Sequence, residues 1–267
     1  MSALTAVPLI AILTEVLIKG IGQINWSFFT ESTPNTLDAM LAIQSGEKIP
    51  GGIANGIVGT LIMVLIASLI SIPIGIFCGI YLSEKKNKKF ASVIRFLSDL
   101  LQGTPSIVVG IIIYLWIVIP TKGYSALAGG ISLAVMMIPL IIRSTEETLN
   151  MLPDSLKEAG LALGASYSTT ITKILLPSAF GGIFTGILLA ISRVIGETAP
   201  LMLTALGSTM ISWDITKPSS SVSLLIWEFY NDPNLQSMIW SASLFLLLFV
   251  LSLNLIAKRI TKKWRIS

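Results

Sequence analysis

Residues 56–82 read GIVGTLIMVLIASLISIPIGIFCGIYL, with no Asp, Glu, Lys or Arg. A helix rises 1.5 Å per residue and a bilayer core is about 30 Å thick, so this stretch is long enough to cross a membrane. A β-barrel span would alternate polar and apolar residues, and this one does not. Five further apolar runs lie at 3–18, 107–119, 127–142, 180–206 and 238–257. The runs at 180–206 and 238–257 can also span alone. Those at 107–119 and 127–142 need their flanking Ser, Thr, Gly and Tyr residues. Little more than Pro120-Thr121-Lys122-Gly123 separates them, so they read as a hairpin. The expectation is an all-α integral membrane protein with about six transmembrane helices, forming one membrane domain over 1–267. The run at 3–18 reads as a retained helix and not a cleaved signal. Met1-Ser2 offers no basic residue, and Glu15 and Lys19 sit where cleavage would fall.

Composition agrees. Hydrophobic residues make up 53% and charged residues 12%, against about 25% charged in a soluble domain. There is no histidine, and the one cysteine, Cys78, lies in an apolar run. An intrachain disulfide is excluded, and nothing suggests a metal site or a cofactor. Cys78 reads as a small buried hydrophobe. No G-x-x-x-x-G-K-[ST] loop is present and no acid, base or metal cluster stands out. The chain therefore reads as no enzyme, with no catalytic residues.

Charge placement suggests orientation. Lys85, Lys86, Lys88, Lys89 and Arg95 follow the second run. Arg143, Lys157 and Lys173 lie between the fourth and fifth. Lys258, Arg259, Lys262, Lys263 and Arg265 form the tail. Lys19, Lys48, Lys122 and Lys217 are spread over the other loops. The positive-inside rule puts the basic segments and both termini in the cytoplasm. These charges flank spans instead of forming a patch with aromatics, so they predict contact with membrane lipid and no nucleic acid. The loops at 22–55 and 207–237 read as external. Each is long enough to contact something outside, with neither making a domain.

The inner loop at 143–178 is the most informative. Arg143-Ser144-Thr145-Glu146-Glu147 ends the fourth helix, and Met151-Leu152-Pro153-Asp154 breaks the chain. Ser155-Leu156-Lys157-Glu158 has the spacing of a capping box that starts a new helix. That helix continues through Ala159, Gly160 and Gly164, the two glycines four apart and on one face. Each glycine weakens so short a helix by about 1 kcal/mol. A face without side chains suits close docking, either into another protein's groove or under the chain's own bundle. The next helix opens at Ser168-Thr169-Thr170 and runs through Ile174-Leu175-Leu176-Pro177 into the fifth span.

Inside the fifth run stand Arg193 and Glu197. An Arg at the centre of a span costs about 2.5–3.5 kcal/mol on insertion scales, so it should face protein or water. On a continuous helix Gly182, Gly186, Ala190, Arg193, Glu197, Pro200 and Thr204 share one stripe. The Arg–Glu pair can serve as a structural bridge. Alternatively, Arg193 lines a path and meets an oxyanion, since a guanidinium is a planar fork of donors suited to phosphate. Arg143 reads as a snorkelling cytoplasmic Arg or an exit-side anion contact. Glu15 and Lys19 read as an interfacial pair.

Glu158-Ala159-Gly160 with Gly164, then Ile174-Leu175-Leu176-Pro177, resembles the EAA loop of the membrane subunits of bacterial ABC importers. The third position departs from Glu-Ala-Ala by a small-for-small change. Gln102-Gly103-Thr104-Pro105-Ser106-Ile107-Val108 and Ile138-Pro139-Leu140-Ile141-Ile142-Arg143-Ser144-Thr145-Glu146-Glu147 resemble phosphate permeases. So does Arg193-Val194-Ile195-Gly196-Glu197-Thr198-Ala199-Pro200-Leu201, whose Thr-Ala-Pro favours the PstA type over the PstC type. The resemblance covers about 50–260. The short cytoplasmic tail common in the family is nearly absent.

The resemblance implies a type I ABC importer permease fold in a prokaryotic inner membrane. It implies inward phosphate translocation by alternating access, with Arg193, Glu197 and Arg143 along the path. Ser155, Glu158, Ala159, Gly160 and Gly164 would belong to a coupling helix seated in a cytoplasmic ATPase. The implied partners are a homologous permease (PstC type), an ATPase dimer (PstB type) and an external phosphate-binding protein (PstS type). A permease for molybdate or sulfate, or a passive channel, remains the alternative.

Overall fold

The structure, a computed structural model, describes residues 2–85 and 88–264, with side chains described over 7–85 and 88–260. Lys86 and Arg265, and the side chains of Lys262 and Lys263, lie outside the described residues. Among the described residues the regular structure is helical, apart from one isolated bridge between Leu206 and Ser219.

In chain order, α1 is Ser2–Gly20, α2 Trp26–Thr30, α3 Thr36–Ser45 and α4 Ala54–Glu84. Then come α5 Lys89–Gly103, α6 Ser106–Thr121 and α7 Ala126–Asn150. They are followed by α8 Asp154–Ala162, α9 Tyr167–Ile195, α10 Ala199–Thr204, α11 Val222–Asn231 and α12 Gln236–Trp264. By length and apolar composition α4, α7, α9 and the segment Pro233–Ile260 can each cross a membrane. The pair α5 and α6, bent by 105° around Thr104 and Pro105, makes a fifth if counted as one span. The helix α1 has 19 residues, which is about 28 Å of rise.

Two prolines leave a signature. The turns Tyr114–Val118 in α6 and Ile171–Leu175 in α9 are π-helical. They stand just before Pro120 and Pro177. A proline has no N–H and crowds the carbonyl four residues back, and a wider turn relieves both.

The chain divides into two compact units. The first comprises Met1–Leu65, Ser106–Ser132 and Ile195–Leu251; its basic residues are Lys19, Lys48, Lys122 and Lys217, outnumbered by acids. The second comprises Ile66–Pro105, Leu133–Val194 and Ser252–Ser267, and holds every arginine among the described residues.

In the first unit the segments read as external loops fold into helices. Asn25, Asn35 and Ser221 cap α2, α3 and α11 by accepting from the backbone N–H of Phe28, Asp38 and Leu224. Phe28, Ala39, Ile49 and Ile53 then form one core with Val222, Leu225, Phe229 and Met238. Neither loop could bury these side chains alone.

In the second unit α7 is clasped through glycines. Gly75 and Gly79 of α4 lie against Ile141 and Thr145, where a Cβ would come within 2.5 Å of either side chain. Gly182 and Gly186 of α9 lie against Thr148 and Ser144. The small stripe expected on the fifth span is therefore real as far as Arg193, and its upper part packs on α7. Missing side chains permit this approach.

Three expectations need correction. The fifth run is not one helix: α9 ends at Ile195, Gly196–Thr198 is non-helical, and α10 restarts at Ala199. Glu197, Pro200 and Thr204 therefore do not extend the stripe of α9. Gly196, Glu197 and Pro200 mark this break in the sequence, inside a run that is otherwise apolar on both sides. Second, Ser155 is not a cap. The helix α8 begins at Asp154 with Pro153 in the cap position and no side-chain cap bond. Proline's fixed φ suits the start, and Asp154 in the first turn favours the helix dipole. Third, the following helix opens one turn position early, at Tyr167, capped by Ser166.

Candidate substrate path and docking surface

The second unit contains a cleft of about 470 Å³ lined by Gln102, Arg143, Ser144, Glu147, Gly186 and Arg193 among others. Three elements build it: the end of α5, the last turns of α7, and α9. Glycine at 186 lets α9 lie close to Ser144, which brings Arg193, in the last turn of α9, to the cleft that Arg143 also lines. Sequence placed these two arginines in separate spans, and the fold brings them to one cavity.

Arg143 is not a bare cation. Its Nη1 lies 3.7 Å from Glu146 Oε2 and its Nε 3.2 Å from Glu147 Oε1. Glu146 is buried at 5% exposure and is held by Arg95, whose Nε donates to Oε1 at 2.7 Å. The Arg95 Nη2 also donates to the Leu82 carbonyl at 2.9 Å. Arg95 is thus a structural tie of the second unit, beyond its share in the basic loop. Gln102, from the Gln-Gly-Thr-Pro stretch, donates to the Pro139 carbonyl at 3.4 Å and forms part of the wall.

Glu197 lies in the first unit. In the break between α9 and α10 its backbone carbonyl accepts from Ser223 Oγ at 2.8 Å. Ser219, Ser220, Ser221 and Ser223 are all buried, and Gly59 of α4 meets Ser219 and Ser220. The Ser-rich stretch of residues 219–223 is therefore an internal prop for the break.

The remaining sequence candidates gather on α8. Ser155, Glu158 and Ala159 are exposed, and beside them Leu163 is 89% and Leu161 43% exposed. Gly160 faces the other way. It is buried, and a Cβ there would meet Ile174 Cδ1 at 2.8 Å and Thr170 Cγ2 at 3.0 Å. Gly164 is not on the helix at all. At φ +82° it ends α8, with Gly164 N–H bonding the Leu161 carbonyl and Ala165 N–H the Gly160 carbonyl. That is a Schellman stop. The expected shared glycine face does not exist: one glycine seats α8 on α9, and the other turns the chain.

This splits the two glycines experimentally. Gly160→Leu should displace α8 from Thr170 and Ile174, at an overpacking cost of about 1–3 kcal/mol. Gly164→Ala should cost about 1–2 kcal/mol through the left-handed backbone alone, with open space around the new methyl. Limited proteolysis of the 150–166 segment in membranes checks both. Equal resistance to wild type in both variants would contradict the packing described.

Residues 71–266 match the family model described as "Binding-protein-dependent transport system inner membrane component". The chain belongs to that family. Among curated relatives, the "Phosphate transport system permease protein PstA" of Yersinia pestis is 41% identical over 258 residues, covering 96% of this chain and 84% of that protein. The protein of the same name from Pasteurella multocida is 39% identical over 250 residues, covering 92% and 85%. The chain is therefore a PstA-type member of the family. Among solved structures, an inward-facing MetNI methionine ABC transporter chain aligns with TM-score 0.63 at 19% identity, covering 79% of this chain and 93% of that one. A chain of an amino acid ABC transporter aligns with TM-score 0.57 at 16% identity, covering 86% and 99%. These likenesses establish the type I importer permease fold for this family member, a multi-pass protein of the inner membrane.

Proposed function

We propose that the chain is the membrane-spanning permease subunit of an ATP-driven phosphate importer. Its 41% identity to a phosphate permease over 96% of its length carries this reading. The cleft supports it chemically. Arg143 and Arg193 line one cavity, and guanidinium groups bind phosphate oxygens with directed, charge-assisted bonds. Glu146 and Glu147 draw on Arg143, which keeps the site weak, and a permeating ion must leave as well as enter. Glu197 acts near Arg193 in chain order as the acidic counterpart.

ATP is hydrolysed by a partner, since the sequence contains no nucleotide-binding loop. The exposed face of α8 (Ser155, Glu158, Ala159 and Leu163) docks on that ATPase. Gly160 seats α8 from behind and Gly164 ends it. A PstC-type permease, a PstB-type ATPase dimer and a PstS-type external binding protein complete the assembly. The loops at 84–94 and 155–165 and the C-terminus are cytoplasmic, while 25–50 and 210–235 are external. The concentration of basic residues in the segments of the second unit supports that orientation.

Two measurements test this. In a Cys78→Ala background, a cysteine at Ser166 should resist an impermeant thiol reagent in sealed cells and react after lysis. Labelling in sealed cells would overturn the topology. Uptake of labelled phosphate by the assembled complex should be competed by unlabelled phosphate and little by sulfate or molybdate. Stronger competition by either of those would transfer the function to another oxyanion.

A further inference from the structure

The link between α8 and the rest of its unit is a specific three-residue tie. Glu84 is the last residue of α4. Its Oε2 accepts from both Lys157 Nζ of α8 and the Tyr167 hydroxyl at the start of α9. The Lys157 ammonium also stands 5.0 Å from the centre of the Tyr167 ring. Two consecutive elements thus converge on one carboxylate that lies 73 and 83 residues away in the chain. The tie is partly shielded, with 13% side-chain exposure for Glu84 and 30% for Lys157. Both residues also line a cleft of about 620 Å³ with Lys85, Lys88 and Asp154, so altered side chains have room there.

The contacts are unevenly distributed over α8. Its outward face carries the exposed residues, and its seat on α9 at Gly160 is close packing against the side chains of Ile174 and Thr170. The Lys157–Glu84 pair is its salt bridge to α4. A carboxylate–ammonium pair is charge-assisted and so resists separation more than van der Waals packing does. We infer that Glu84, Lys157 and Tyr167 are positioning residues that transmit displacement of α8 to α4, so that ATPase movement is converted into substrate movement through this tie. The inference rests on the proposed docking of α8 to an ATPase.

The test uses the complete importer in membranes. The variants are Glu84→Gln, Lys157→Met and the swap Glu84→Lys with Lys157→Glu. The swap preserves an ion pair, and the Tyr167 hydroxyl can accept from a lysine as readily as donate to a carboxylate. Three quantities are read: ATPase co-purifying with the permease, ATP hydrolysis, and phosphate taken up per ATP hydrolysed. The single variants should retain the ATPase and its hydrolysis while uptake per ATP falls by about fivefold or more, the lower end of ordinary coupling between sites. The swap should restore most of it. Wild-type uptake per ATP in both single variants overturns the inference. So does loss of the ATPase from them, which would make the tie a scaffold for docking, and so does a swap that restores nothing. Leu163→Asp, run alongside, keeps the two claims apart. If it still retains the ATPase, the docking face is wrong. If it loses the ATPase while Glu84→Gln transports normally, docking stands and the tie fails.

Discussion

Arg193→Gln is expected to reduce phosphate uptake by about tenfold or more, the loss of one charge-assisted bond to an anion, while the assembled complex stays in the membrane. The side chain stands in the last turn of a spanning helix and lines a cleft. The costs of placing a cation there are hard to explain by packing alone. Glu197→Gln is expected to impair uptake as well. The double variant, Arg193→Gln with Glu197→Gln, distinguishes a path from a bridge. A buried bridge can be replaced by neutral groups with little loss, so a structural pair predicts recovery of both assembly and uptake. Contact with phosphate predicts a complex that assembles and does not transport. Uptake normalised to assembled complex decides, and recovery in the double variant would remove Arg193 from the path.

The largest stability effect is expected at Glu146, whose carboxylate ties Arg95 and also draws on Arg143. Glu146 is buried and joins Arg95 at 2.7 Å while lying 3.7 Å from Arg143. Replacing it with Ala leaves Arg95 without its carboxylate in a mostly buried position. Breaking a buried ion pair from one side costs about 3–5 kcal/mol. Glu146→Ala should therefore lower the amount of folded permease in detergent extracts severely, and Glu147→Ala, at an exposed position, should not. Similar yields for the two would contradict the account of this network.

Much of the membrane architecture was legible because charge is excluded from spans and concentrated beside them. Each of the six apolar runs falls on helical segments of the structure. The break at 196–198 had a local sign in Gly196 and Pro200, while its prop, Ser223, lies far along the chain. The helices α2, α3 and α11 were read as loop because their apolar residues bury against partners remote in sequence, including Ile53 and Met238. In the 153–166 segment the sequence misread the geometry. Spacing put Gly160 and Gly164 on one face, but a Schellman stop intervenes. The Gly75–Gly79 spacing was visible in the uncharged run at 56–82, and only the position of α7 gives it meaning. Glu84 carried a local sign, an acid directly before a run of lysines, yet its partners are remote in sequence.

The central claim is that this chain moves phosphate inward at the expense of ATP hydrolysed by a partner. Its most direct test is labelled phosphate uptake by vesicles containing the chain with its partner permease and ATPase, supplied with the external binding protein. ATP is provided only on the side exposing α8. Accumulation above the external concentration, requiring both ATP and this chain, is the predicted result. Flux that equilibrates phosphate without ATP would mean a passive channel and would contradict the account.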